Sequence, residues 1–157
     1  MINPRNPRPK WLARMRPRPW RKFDYLLISL AILLADQWSK WLVELHIPPG
    51  TTRPIFSNWL NFIHVKNTGV AFSLFATHGN LKGTLLLSAM GLGALLIIGV
   101  YFWRTPKDSR LLLNSLCLIL GGAVGNLIDR FSRGEVTDFI DVYFRTYHWY
   151  TFNVADS

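Results

Sequence analysis

Asp138 and Asp156 are the residues whose type and placement point most directly to chemistry. Each follows an apolar stretch of membrane length, the first in the run EVTDFID and the second in FNVADS at the end of the 157-residue sequence. Two carboxyls brought to one depth at a membrane surface can do acid–base work. Repulsion between like charges raises one apparent pKa, so one member is ionised while the other holds its proton. The ionised member can take a proton from water as it attacks a carbonyl, and the protonated member can polarise that carbonyl and later help protonate a leaving amine. Sequence does not assign the two parts, and such a pair titrates as one coupled unit.

Further polar residues sit where polar groups are costly. In ADQWSKW, Asp36 and Lys40 are one helical turn apart, which allows an ion pair within the helix with Lys40 reaching outward. The same two residues can instead face the cleft of the aspartates. In LGGAVGNLIDRF, Asn126 shares a helix face with Asp129 and Arg130 at spacings of three and four, and polar groups at a membrane edge are paired or functional. Gly121 and Gly125, with Gly122 and Ala123 beside them, leave one face nearly bare, a pattern that close helix packing alone would also explain.

Composition supplies the elements that must position these groups. Half of the residues are hydrophobic, yet the formal net charge is +9, so apolar blocks alternate with basic stretches as in an integral membrane protein. Residues 25–43, 84–103 and 111–128 approach the roughly 20 residues that cross a hydrocarbon core. The first span is preceded by basic residues like a cleaved signal sequence, but no small-x-small site follows it. Arg5, Arg8, Lys10, Arg14, Arg16, Arg18, Arg21 and Lys22 precede the first span. Arg104, Lys107 and Arg110 lie between the second and third, whereas residues 44–83 hold only Arg53, Lys66 and Lys82. By the positive-inside rule the amino terminus is cytoplasmic, and residues 44–83 and the segment from Asp129 onward are outside.

Residues 1–22, with five prolines and eight basic residues, form a poorly ordered cytoplasmic tail separate from the membrane domain of residues 23–157. Its Trp11 and Trp20 are compatible with nucleic acid stacking, but a basic tail beside a span serves topology and anionic-lipid attraction. The outer segment, about residues 46–78, is too polar to span. WLNFIHV reads as a strand, NTGVAFSLF as a second, and Asn67, Thr68 and Gly69 as the turn between them. The fold class is therefore an all-α polytopic membrane protein with a small extracytoplasmic β-sheet, able to hold an extended peptide by strand addition. The single cysteine, Cys117, excludes an internal disulfide and a cysteine metal cluster. His46, His64, His78 and His148 show no ligand spacing, so neither metal nor cofactor is expected.

DQWSK, NTGVAFS, GGAVGNLIDR, EVTDFID and FNVADS, in this order, closely resemble lipoprotein signal peptidase, or signal peptidase II, over roughly residues 25–157. The resemblance implies an aspartic endopeptidase of the bacterial cytoplasmic (inner) membrane, with its site on the outer face. Such an enzyme removes signal peptides from prolipoproteins by cutting before a cysteine that carries diacylglycerol. It implies a monomer whose partners are that substrate and membrane lipid, with no nucleic acid. Asp138 and Asp156 match the catalytic aspartates. Asp36, Lys40, Asn67, Gly69, Ala71, Phe72, Gly122, Asn126, Arg130, Asn153 and Ala155 match supporting or substrate-binding positions, while Asp129 and Asp141 lie in matching motifs outside the dyad.

Physical roles follow for several of these. Asn126 and Asn153 can hydrogen-bond the dyad or the substrate backbone, and Arg130 can hold a carboxylate or loop in place. Gly69 and Ala71 are small where a substrate backbone would pass, and Phe72 can cover apolar substrate; simple packing of the surface sheet is the other reading. Members of the family continue past the ADS motif into a fourth membrane helix, whereas this sequence stops at Ser157. The expectation is a missing fourth helix and a poorly held Asp156. Two alternatives stand beside the peptidase: an incomplete homologue that only binds lipoprotein substrate, and a small transporter using Asp36, Lys40 and Asn126.

Overall fold

The computed structural model describes residues 20–68 and 81–157. Among them, a single turn of 3-10 helix, Lys22–Tyr25, runs into α1, Leu26–His46, followed by strands β1, Thr52–Phe56, and β2, Leu60–Asn67. Helices α2, Leu81–Arg104, and α3, Arg110–Arg133, come next, then β3, Val136–Phe144, β4, Tyr147–His148, and a closing 3-10 turn, Val154–Asp156. The expected residues 1–19 of the basic tail, the second outer strand, and with it Gly69, Ala71, Phe72 and His78, lie outside the described residues.

All three helices are long and apolar enough to cross a membrane, and they are built inside out. On α1 the exposed residues Leu27, Leu30, Leu34, Trp38, Trp41 and Leu45 recur at helical spacing, whereas Asp36, Lys40 and Val43 are buried. An apolar outside with polar residues turned inward suits a helix whose solvent is lipid. Helix α3 is the middle member, packing on α1 and on α2. At one end Tyr25, Phe102, Leu113, Leu116 and Cys117 form a core, and Lys22 Nζ donates to the Trp103 and Thr105 carbonyls at the end of α2.

The other end carries the sheet, an antiparallel array in the order β1-β2-β3-β4. Phe139 of β3 packs on Val43 and Ile47 at the end of α1, seating the sheet on the helices. Gly134, with φ +77°, caps α3 in the left-handed region and lets the chain turn into β3. Glu44 reinforces the seat by accepting from Lys66, Thr137 and Arg133.

Three differences from the sequence reading matter. The sheet is not confined to the segment before the second helix: β3 and β4 come from the residues after the third. The strand β2 is paired with β1 and β3, and residues 52–56, which include Pro54, form an exposed edge. Finally, α3 continues to Arg133, five residues past the expected limit of 128. Asp129 is therefore a buried helical residue.

Candidate active site

Helix periodicity on α1 and α3 assembles the first layer of the site. Asp36, Gln37 and Lys40 of α1 meet Asn126 and Asp129 of α3. Lys40 Nζ donates to Asp36 Oδ2 at 2.7 Å, Asp129 Oδ2 at 2.6 Å and Asn126 Oδ1 at 2.9 Å. Gln37 Nε2 donates to Asp129 Oδ1 at 3.0 Å and Asp36 Oδ2 at 3.2 Å. Asp36, Lys40 and Asp129 are at most 1% exposed. A charge removed from water to this degree is tolerated only when its hydrogen-bonding capacity is filled, and here it is.

The glycine stripe is what lets this happen. A Cβ on Gly121 would meet the Ser29 carbonyl oxygen at 2.6 Å, so this glycine serves helix packing, as expected. A Cβ on Gly125 would come within 2.5 Å of Asp36 Oδ2, and one on Gly122 would run into the Ala155 carbonyl. These two glycines therefore make room for a buried carboxylate and for the terminal turn.

That turn is docked at several points. Phe152 pairs with Ile140 of β3 through an N–H donated in each direction, at 2.8 and 3.1 Å. Val154 packs on the Val43, Ile47 and Phe139 cluster. The Ala155 backbone N–H donates to Asp36 Oδ1 at 3.0 Å, joining residues 119 positions apart. Asp156 is thereby tied to the rest of the fold within the residues present, against the expectation that it would be poorly held.

The two aspartates expected to do chemistry come together around Asn153. Its side-chain Nδ2 donates to Asp138 Oδ1 at 2.7 Å, and its backbone N–H points at Asp156 Oδ2 at 3.4 Å. Asn67 Nδ2 donates to the other Asp138 oxygen at 2.8 Å, and Asn126 Nδ2 donates to Asp156 Oδ1 at 2.9 Å. Asp138 is 4% exposed and Asp156 is exposed. Burial pushes Asp138 up to about 6, aided by the Asp156 charge and opposed by the Asn67 and Asn153 donors and the Lys40 charge. One carboxyl that keeps its proton beside one open to water is the division of labour that acid–base hydrolysis needs.

The remaining expected residues are distributed as follows. Arg130 Nη1 donates to the Asn126 backbone carbonyl at 3.3 Å, and its charge interacts with those of Asp156, Asp138 and Asp129 without a direct hydrogen bond to them among the described residues. Asp141 accepts from Asn61 and His148, and Asp129 from Lys40 and Gln37, leaving neither bonded to the pair. Sequence reasoning missed Gln37 and gave Asp129 no partner. The signal was available in the spacing of 36, 37 and 40 against 126 and 129 on two facing helices. Among the described residues no group of three or more His, Cys, Asp or Glu is placed to hold a metal ion.

The family model for signal peptidase (SPase) II matches residues 28–157. The lipoprotein signal peptidase of Solibacter usitatus is 38% identical over 138 residues, covering 88% of this chain and 82% of the relative. That of Halalkalibacterium halodurans is 40% identical over 135 residues, covering 85% and 82%, and that of Desulforapulum autotrophicum is 42% identical over 132 residues, covering 83% and 81%. Two bacterial membrane enzymes solved by the in meso method are also similar. One has a TM-score of 0.72 at 26% identity over 85% of this chain and 78% of the other, and the second a TM-score of 0.73 at 25% identity over 85% and 83%. With three apolar helices of spanning length, it is a multi-pass bacterial membrane protein. A match that runs from α1 through the turn bearing Asp156, shared with relatives at these identities, places the chain in the signal peptidase II family.

Proposed function

We propose that this chain is an aspartic endopeptidase that removes signal peptides from diacylglyceryl-modified prolipoproteins, cutting before the lipidated cysteine, with Asp138 and Asp156 as its dyad. The observation that carries the reading is Asn153, which binds one aspartate through its side chain and the other through its backbone. Asp138, buried and raised to about 6, is suited to hold the proton and polarise the scissile carbonyl. Asp156, exposed, is suited to take a proton from the attacking water, and the proton held by the pair then passes to the leaving amine.

Residues 23–157 form the peptidase domain in this reading, and residues 1–22 a basic tail on the cytoplasmic side. The site then faces the outside, at the end of the helices where the sheet sits. A diacylglyceryl chain stays in lipid, so the bond beside the modified cysteine is held at that depth. Drawing the chains into water would cost about 0.8 kcal/mol per methylene. The chain acts as a monomer, and its substrate lies along the sheet.

The test is cleavage of a diacylglyceryl-modified prolipoprotein peptide in lipid by the chain, beside Asp138→Asn and Asp156→Asn. Cleavage by the parent and loss in both variants is the expected result. Undiminished cleavage by either variant overturns the dyad.

A further inference from the structure

Lys40 has three N–H donors and three acceptors, on Asp36, Asp129 and Asn126, at 2.6–2.9 Å, and is 1% exposed. No donor is left for a substrate, so its part in the reaction must run through one of these partners. Asn126 is the partner that touches the dyad. An ammonium cannot accept a hydrogen bond, so the Asn126 atom facing it must be the carbonyl oxygen. The amide nitrogen is then turned the other way, where it donates to Asp156 Oδ1 at 2.9 Å.

The same constraint passes on to the second amide. Asn126 Oδ1 also accepts from Asn153 Nδ2 at 3.3 Å, and that nitrogen donates to Asp138 Oδ1 at 2.7 Å. Asn153 Oδ1 is buried with no hydrogen-bond partner among the described residues. A buried acceptor without a partner is costly, and flipping the amide would put this oxygen against the Asp138 carboxyl and the Asn126 carbonyl. The orientation is imposed by its neighbours at the expense of its own satisfaction.

We propose that Lys40 is a positioning residue that sets the polarity of the Asn126–Asn153 amide pair, so that both amides present N–H, and never C=O, to Asp138 and Asp156. Asp36 and Asp129 hold the Lys40 side chain in place by hydrogen bonds, and Asp36 also holds the turn that carries Asp156 through the Ala155 N–H. The charged groups around the pair are Asp36 and Lys40 from α1 and Asp129 and Arg130 from α3. The proposal rests on the assignment of Asp138 and Asp156 as the dyad.

The decisive variant is Lys40→Met combined with Asp129→Asn, which leaves the cluster with the same net charge, one carboxylate in place of two carboxylates and an ammonium. Thermal melting in detergent establishes that it is folded. With the amides free to flip, kcat is expected to fall by about 100-fold with KM little changed. The pH–rate profile is expected to move upward by about one unit, because the ionised pair loses N–H donors. A folded variant whose profile stays at the parent position overturns the proposal, whatever its kcat.

Asn126→Asp is the second variant, for the case that the first does not fold. It is isosteric and keeps the acceptor for Lys40, but puts a carboxylate oxygen, with its negative charge, where the N–H faced Asp156. Its profile is also expected to move upward, and an unmoved profile again overturns the proposal. Asp138→Asn and Asp156→Asn in the same assay separate the two levels. If either cleaves like the parent, the dyad assignment has failed; if both are inactive and the profiles do not move, only the role of Lys40 has.

Discussion

The Asn153 side chain donates to Asp138 Oδ1 at 2.7 Å from a residue that is fully buried, and its backbone N–H turns toward Asp156. Asn153→Ala removes the side-chain bond while keeping the backbone one. The expected result is a loss in kcat of about 100-fold with a smaller change in KM, as for other misplaced catalytic groups. Steady-state kinetics on the lipidated peptide measures it, and equal losses in kcat and in substrate affinity would count against a role at the dyad.

Asp138 gives the chain a pH-dependent stability of predictable sign. Its folded-state value of about 6 lies above the ordinary 3.8, so between those values the folded chain binds more protons than the unfolded one. Stability should therefore fall as pH rises from about 4 to about 6, and level off above. Thermal melts across this window should show the slope in the parent and not in Asp138→Asn.

The same proton governs rate. If Asp138 works in its protonated form, kcat/KM should decline as pH rises through about 6, the value to which burial brings it. Removing the Asn67 donor that favours the ionised form, by Asn67→Ala, should move that decline to higher pH. A pH–rate series on the two chains decides, and a shift to lower pH would contradict the assignment.

Glycines on α2 and α3 should respond differently to one methyl group. Gly125→Ala would press on Asp36 Oδ2 at 2.5 Å, whereas Gly93 and Gly99 have nothing within 4 Å of an added Cβ. The expected cost is about 1–3 kcal/mol at Gly125 and no loss at Gly93 or Gly99, where alanine is the better helix former. Melting of the three variants in detergent compares them directly.

Glu44 ties α1 to β2, β3 and the end of α3 through Lys66, Thr137 and Arg133. Glu44, Lys66 and Arg133 are partly exposed, so Glu44→Ala should cost about 1 kcal/mol. Its clearer sign is local: faster hydrogen exchange in β2 and β3 with α2 unchanged.

Much of this protein was legible before any fold was known. Three apolar runs with basic flanks require membrane-length helices, because a backbone in lipid must satisfy its own hydrogen bonds. The glycine stripe marked the closely packed helix, and the motif order carried the family. What the runs of sequence did not carry is where polar side chains end up relative to one another. Asp129 read as a residue without a partner and is a buried partner of Lys40. Asn126 and Asn153 read as independent helpers and are bonded to each other.

The limits of the sheet were hidden for a related reason. Strand β3 lies 69 residues beyond β2 where the two meet at Asn67 and Val136, so no local alternation could announce the pairing. Local rules fix which segments enter lipid and which turn at glycine, since those depend on a residue and its near neighbours. Whether two carboxyls share one asparagine depends on the crossing of α1 and α3 and on the docking of Phe152 against β3. Only the tertiary structure decides that, because the energy of a buried polar group depends on which distant partners fill its hydrogen bonds.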